Sequence, residues 1–518
     1  MSNIKLKDSP ISSIKKHHLK SSSIIDNSSN DDDDDDDGDD DIAFDETDLD
    51  KNIMYQTLDE VIDNQIPVGK FHYRLLLVVG LAWMADAMEF SLLSFLSICV
   101  GLDWNLSSSQ TALISSAVFI GELIGSLWWG KIADIYGRRS SFMLGMCIIC
   151  VFGFLSGFAN SFVLLCICRT LVGFGVGGLF VISDLLAELM PISHRGKYMI
   201  YVEYFWTLGS LFVAALAWIL LNSSGWRSLV FVTVIPVSIS LFSAYFYLPE
   251  SPRWLVSQRR IAEAESIILE IASCNNTIIA PFHFSYDLEN DNSPLSHSQS
   301  YWKAVIAKPM RKITFALMII WGSFGFSYNG IILFVARVYS NDSVGSCSFN
   351  YSAITVNAAS ELIGTLVATM LIDSWGRKST QTYTYLVAAI SILMIVFNSS
   401  KGILLTAAFI ARSTIMAASN ATWVITPELY PTKIRATGHS ICNSMARISA
   451  FFVPFLVDSS ASNQQICLAL GFVTILATIA SSTLPETKNI KLGKNNETCI
   501  NNTIISEIPE IPFQYNKL

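Results

Sequence analysis

A chain of 518 residues with 51% hydrophobic and only 15% charged side chains is too apolar for a water-soluble protein of this length and belongs in a bilayer. The net charge of −9 comes from one tract: residues 31–50 hold fourteen acids and no base, and the rest of the chain carries +5, as befits a membrane protein with basic loops. No nucleophile–base set or metal-ligand spacing stands outside the apolar segments, so no enzyme, cofactor, metal or nucleic-acid partner is expected.

Residues 1–70 pass from a Ser/Lys/His-rich segment into the Asp31–Asp41 acid run. Like charges at that density cannot collapse around a core, so a disordered cytoplasmic tail is expected, either simply solvated or binding calcium or a cytoplasmic partner. No apolar stretch precedes it, so no cleaved signal peptide is expected. From Tyr73 the apolar segments arrive, each near the roughly 20 residues that cross about 30 Å of hydrocarbon. They fall at 73–98, 110–130, 141–158, 162–188, 198–221 and 227–248, then at 312–337, 352–372, 379–397, 402–427, 436–457 and 465–484. This predicts an all-α membrane protein of twelve spans in two six-helix lobes, 71–249 and 311–485. Residues 250–310 read as a cytoplasmic linker, in which Ile261, Ala264, Ile267, Ile268 and Ile271 share one face of a short surface helix. Residues 486–518 read as a second cytoplasmic tail.

Lys131, Arg138 and Arg139, then His194, Arg195 and Lys197, then Arg377 and Lys378, then Lys433 and Arg435 fall in connections on one side. That side is cytoplasmic by the distribution of bases, and so are both termini. The opposite loops carry sequons at Asn105, Asn222, Asn341, Asn350 and Asn398, all glycosylation candidates. Of the ten cysteines most sit in spans as small hydrophobes; Cys347, in an opposite-side loop, reads as unpaired, the alternative being a bond to Cys99. Gly173, Gly175, Gly177 and Gly178 in the fourth span suit close helix packing better than a nucleotide loop, since no strand precedes them.

The chain repeats itself. Asp134-Ile-Tyr-Gly137-Arg138-Arg139-Ser140 returns 239 residues later as Asp373-Ser-Trp-Gly376-Arg377-Lys378-Ser379. Glu188-Leu-Met-Pro191, with Arg195 beyond it, returns as Glu428-Leu-Tyr-Pro431 with Arg435, and Leu248-Pro-Glu250-Ser as Leu484-Pro-Glu486-Thr. One register relates the halves, as after a duplication. Asp134, Arg138, Arg139, Glu188, Arg195 and Glu250 would form one charged cluster at the membrane edge, and Asp373, Arg377, Lys378, Glu428, Arg435 and Glu486 its twin. Such clusters either anchor the topology or form a cytoplasmic gate that breaks when two lobes rock.

Charges deeper in the spans are costly and tend to face a cavity. Asp86 and Glu89 lie three apart and share a face, Arg447 falls near mid-membrane, and Glu122, Asp184, Glu203 and Glu361 are further cavity candidates. Arg169 and Arg412 open similar positions of the two repeats, which suits a structural role.

Gly130-Lys-Ile-Ala-Asp134-Ile-Tyr-Gly137-Arg138-Arg139 resembles the loop signature of the major facilitator superfamily. Pro249-Glu-Ser-Pro-Arg-Trp254 and Pro485-Glu-Thr-Lys488 resemble signatures of its sugar-porter and organic-ion branches. Trp83-Met-Ala-Asp86-Ala-Met-Glu89, Glu203-x-Phe-Trp206-x-x-Gly209, Phe326-Ser-Tyr328-x-Gly330 and Met445-Ala-Arg447 are similar to synaptic vesicle 2-related proteins. The resemblance implies the twelve-helix major facilitator fold, a central cavity to which Tyr328 and Asn329 are added, and a vesicle or plasma membrane. The function expected is secondary active transport of a small organic ion by alternating access, with a coupling proton. In that reading the acids bind a cation or the proton and Arg447 holds a carboxylate. The alternative from another class is a vesicle-membrane glycoprotein of transporter shape that binds partners and moves nothing.

Overall fold

The computed structural model describes residues 54–56, 58–280, 282–284, 305–340, 347–397, 400–430 and 434–488. The acidic tract, Asn341, Asn398, Lys433 and everything from 489 onwards lie outside the described residues. A short strand, β1 (Met54–Gln56), and a helix, α1 (Leu58–Gln65), precede the first lobe, which comprises α2 (Lys70–Asp103), α3 (Ser108–Tyr136), α4 (Arg138–Ser156), α5 (Phe162–Val176), α6 (Phe180–Leu189) and α7 (Ile192–Tyr247). Then come α8 (Pro252–Ser257), α9 (Ile261–Cys274) and β2 (Phe282–Phe284). The second lobe comprises α10 (Lys308–Val338), α11 (Tyr351–Trp375), α12 (Arg377–Phe397), α13 (Lys401–Leu429), α14 (Arg435–Val457) and α15 (Asn463–Thr483).

Among the described residues, eleven helical stretches are long and apolar enough to cross a bilayer, α5 and α6 together making one of them. One of the eleven is the 56-residue α7, which if straight would run roughly 84 Å, more than twice a hydrocarbon core. Gly225 turns it with φ 75°, so it crosses twice and the total is twelve.

Local chemistry sets the ends of the spans. At one end Ser107, Ser161, Ser400 and Ser462 each cap a helix by accepting a first-turn backbone N–H. At the other end two spans turn with no loop. Gly137 ends α3 and α4 begins at the next residue, and Gly376 does the same between α11 and α12. Their φ/ψ of 95°/162° and 96°/164° lie in a region essentially reserved for glycine. A Cβ at either would also run into the carboxylate of Glu250 or Glu486. Gly137→Ala and Gly376→Ala are each expected to lower stability by about 1–3 kcal/mol. The two losses should add, because the sites are in different lobes. Denaturant unfolding in detergent checks both statements.

Side-chain packing differs between the two ends. At the serine-capped end one apolar core draws on both lobes, with Phe95, Val213 and Ala217 from the first and Phe334, Phe349 and Leu470 from the second. A disulfide between Cys99 and Cys347, Cα–Cα 5.1 Å, joins the lobes there. At the glycine-turn end each lobe has its own core, built on Val79, Ile182 and Val202 in the first and Leu317, Ile425 and Ala477 in the second. The lobes share one core at the first end; at the other each has its own, with Trp423 of the second lobe also packed against the core of the first.

The helix α9 buries Ala264, Ile268 and Ile271, and its C-cap fastens it to the entry of the first span: Asn275 donates to the Pro67 carbonyl at 3.0 Å and accepts the Phe71 N–H at 3.0 Å. Beside it β1 pairs in parallel with β2. Strands of three residues carry too little period-2 pattern to be read from sequence.

Candidate functional site: a charged aromatic hollow between the lobes

Between the shared core and the separate ones lies a hollow of about 810 Å³, counting the part open to solvent. Of the residues expected there, Asp86, Glu203, Tyr328, Asn329 and Arg447 line it. Much of the remaining wall is aromatic and was not anticipated as such: Trp83, Trp206, Trp321 and Trp423, with Phe90 and Phe324. A signal existed in the sequence, since Trp83 and Trp321 are 238 residues apart and so are Phe90 and Tyr328, the register of the duplication. Tryptophan inside a span, away from the interfacial belts where it concentrates, points the same way. In the wall of the hollow Trp423 meets Trp83 at 6.2 Å and Trp321 at 4.8 Å between centroids. The His439 ring lies against Trp321 and Trp423 at 5.4 and 5.1 Å.

The charges of the hollow do not balance. Arg447 reaches from α14 to α3, where its Nη1 lies 2.6 Å from Glu122 Oε2. Its guanidinium also sits 5.6 Å from the Phe90 ring centre. Glu122 is fully buried and stands behind the wall, so this charge-assisted bond ties lobe to lobe and neutralises the arginine. Asp86 and Glu203 remain as acids facing the void. Asp86 is 4% exposed and its Oδ1 has no hydrogen-bond partner among the described residues. Glu203 lies beside the Trp83 side chain.

Besides Glu122, three of the expected cavity residues lie elsewhere. Glu89 is three residues from Asp86, which leaves roughly 60° between them around the helix. That offset takes it to Arg169, Nη1 to Oε1 2.6 Å, in a smaller pocket inside the first lobe. Glu361 is also behind the wall. It accepts from the Tyr328 hydroxyl at 2.6 Å and from Arg412 Nε at 2.8 Å, and Trp206 of the first lobe donates to the Tyr328 oxygen at 2.6 Å. Arg169 and Arg412 thus each neutralise one buried glutamate. Asp184 is exposed and does not line the hollow; its charged neighbours are Glu188, Arg138 and Asp134.

The repeated acids and bases meet twice, in matching ways. Glu250 accepts the backbone N–H groups of Arg138, Arg139 and Ser251 at 2.7, 3.1 and 3.0 Å. Glu486 accepts those of Arg377, Lys378 and Thr487 at 2.8, 3.2 and 3.0 Å. Each carboxylate therefore sits on the N-terminus of a span, where unpaired N–H groups and the helix dipole favour an anion. Arg138 pairs with Asp134 at 2.6 Å, and Arg377 with Asp373 at 3.3 Å and Glu428 at 3.6 Å. Ser251 donates to Glu188 as Thr487 does to Glu428. The Arg139 guanidinium goes to the Tyr245 carbonyl at 2.7 Å and that of Arg195 to the Met190 carbonyl at 3.4 Å; the side chain of Arg435 lies outside the described residues. These contacts all lie at helix junctions within one lobe.

Of the sequons, Asn105 is exposed, Asn222 accepts from the Tyr351 hydroxyl at 3.1 Å, and Asn350 caps α11.

Comparison with known proteins decides the family, because the profile described as "Sugar (and other) transporter" matches residues 13–498. The chain belongs to that family of the major facilitator superfamily. This transporter is 33% identical over 445 residues to the synaptic vesicle 2-related protein of Xenopus laevis, covering 82% of this chain and 80% of that one. It is 32% identical over 463 residues to organic cation/carnitine transporter 7 of Arabidopsis thaliana, covering 81% and 92%. Its fold matches the xylose transporter XylE from E. coli in a partially occluded inward open conformation, with TM-score 0.65 and 20% identity over 82% of this chain and all of that one. It is a multi-pass membrane transporter of twelve helices in two lobes.

Proposed function

We propose that this transporter carries a small organic cation by alternating access, with protons as the exchanging ion and the glycine-turn end in the cytoplasm. The observation that carries this reading is the charge left in the hollow once Arg447 is paired with Glu122: Asp86 and Glu203 among the faces of four tryptophans. A cation held over an aromatic face gains about 0.5–2 kcal/mol, and cages of such faces suit quaternary ammonium groups. Three or four faces would contribute roughly 2–8 kcal/mol, a span that includes a ligand that binds near millimolar and is released readily. The name of the Arabidopsis relative supports the same class. A carboxylate substrate is disfavoured because it would have to displace Glu122 from Arg447. A sugar is disfavoured because no glutamine lines the hollow among the described residues, and glutamine is the residue type that the resemblance to sugar porters implies for a hexose site. Exchange with protons follows from the charge count, since a proton on Asp86 or Glu203 replaces the cation that leaves.

The basic turns support the orientation, and the separate cores at that end support an inward-open state. The test is uptake of radiolabelled tetraethylammonium into proteoliposomes with an acidic interior. Accumulation above protein-free vesicles, collapsing when the pH gradient is dissipated, is the expected result. Xylose or a dicarboxylate accumulating in its place would overturn the reading.

A further inference from the structure

The Cys99–Cys347 bond lies outside the hollow and outside the repeated motifs. Cys99 is near the end of α2 in the first lobe and Cys347 lies ahead of α11 in the second, so the bond crosses the lobe boundary at the serine-capped end. The other contacts across that boundary among the described residues are non-covalent, among them Phe95 edge-on to Phe349 at 5.1 Å, Trp218 stacked on Tyr351 at 6.4 Å, and the Tyr351 hydroxyl bonded to Asn222 at 3.1 Å. Such contacts part when lobes rock; a disulfide does not.

The cysteine of the second lobe has little slack. An antiparallel bridge pairs Ser340 with Phe349, and the Asn350 N–H is bonded to the Tyr339 carbonyl at 2.8 Å. Cys347 stands two residues from that bridge, which allows at most about 7 Å of extension. Cys99 is inside a helix and 1% exposed, whereas Cys347 is only partly buried.

We propose that this bond is a redox lock on alternating access. Oxidised, it keeps the serine-capped end shut and the transporter open only at the other end. Reduced, it lets that end part and the cycle run. The reductant is a dithiol. Its thiolate attacks the more accessible Cys347 sulfur, and Cys99 leaves as a thiolate that takes a proton. The second thiol then closes the reductant into a disulfide, releasing Cys347, which takes the second proton. Two electrons pass from the dithiol to the protein. The proposal rests on the transporter fold and is independent of what is carried.

The experiment uses the full chain in nanodiscs, with nitroxides on ketone-bearing residues in place of the exposed Ser109 and Asn463, one at that end of each lobe. Electron–electron resonance distances are measured before and after dithiothreitol, with the thiols counted by alkylation. The expected result is one short distance in the oxidised protein and a second population, longer by more than about 7 Å, in the reduced protein. The Cys99→Ser/Cys347→Ser variant should show that population with or without dithiothreitol. A longer population already present in the oxidised protein would overturn the lock. So would an unchanged distribution once both thiols alkylate, or peptide mapping that finds the two cysteines unbonded. No transport assay enters, so a failed tetraethylammonium experiment leaves this one standing.

Discussion

Asp86→Asn is expected to reduce tetraethylammonium accumulation at least a hundredfold while leaving the protein as stable as before, or slightly more so. The charge lost faces the hollow, is 4% exposed, and has one oxygen without a partner among the described residues. At an effective dielectric of about 20, a unit charge some 5 Å from a bound cation is worth roughly 3 kcal/mol, about two powers of ten in affinity. The stability change has the opposite sign because a buried carboxylate lacking part of its hydrogen bonding costs the folded state energy that the amide avoids. Loss of transport with a retained melting temperature separates a binding residue from a packing one. Asp86→Glu should recover part of the uptake, and Glu203→Gln should cost less, since Glu203 has Trp83 beside it. Uptake by Asp86→Asn within twofold of the parent would remove Asp86 from the site.

Arg412→Ala is expected to destabilise the second lobe by about 3–5 kcal/mol, the usual consequence of stripping one partner from a buried pair. Arg412 is 3% exposed and Glu361 fully buried, and the arginine also contacts Asn357 at 3.3 Å. Truncation leaves the carboxylate with only the Tyr328 hydroxyl. Replacing both partners, as Arg412→Leu with Glu361→Leu, should restore most of the loss, because the penalty comes from an uncompensated charge more than from the absence of the pair. Reversible unfolding in detergent measures both. A loss below about 1 kcal/mol for Arg412→Ala would mean that the pair does not hold the second lobe together. The same change at Arg169 bears on Glu89 and the first lobe, so the pair of experiments also asks whether the lobes unfold separately.

Several features were legible before any coordinates. A span must satisfy its backbone polar groups within itself and match a fixed thickness, so twelve apolar segments in one register specify twelve helices in two lobes. Junctions that repeat as Gly137-Arg138 and Gly376-Arg377 announce two equivalent turns, because the backbone angles there depend on a few adjacent residues. Which partner each buried charge takes was not legible. Asp86 and Glu89 are neighbours on one helix, yet one faces the hollow and the other a buried arginine. Glu122 and Glu361 occupy matching positions 239 residues apart, yet Glu122 pairs across the lobes with Arg447 and Glu361 within its lobe with Arg412. Likewise the aromatic wall gathers Trp83, Trp206, Trp321 and Trp423 from α2, α7, α10 and α13. Helix formation is decided by hydrogen bonds a few residues long. Which face of each helix looks into the hollow is decided by packing between segments hundreds of residues apart, and that is absent from the order of the letters.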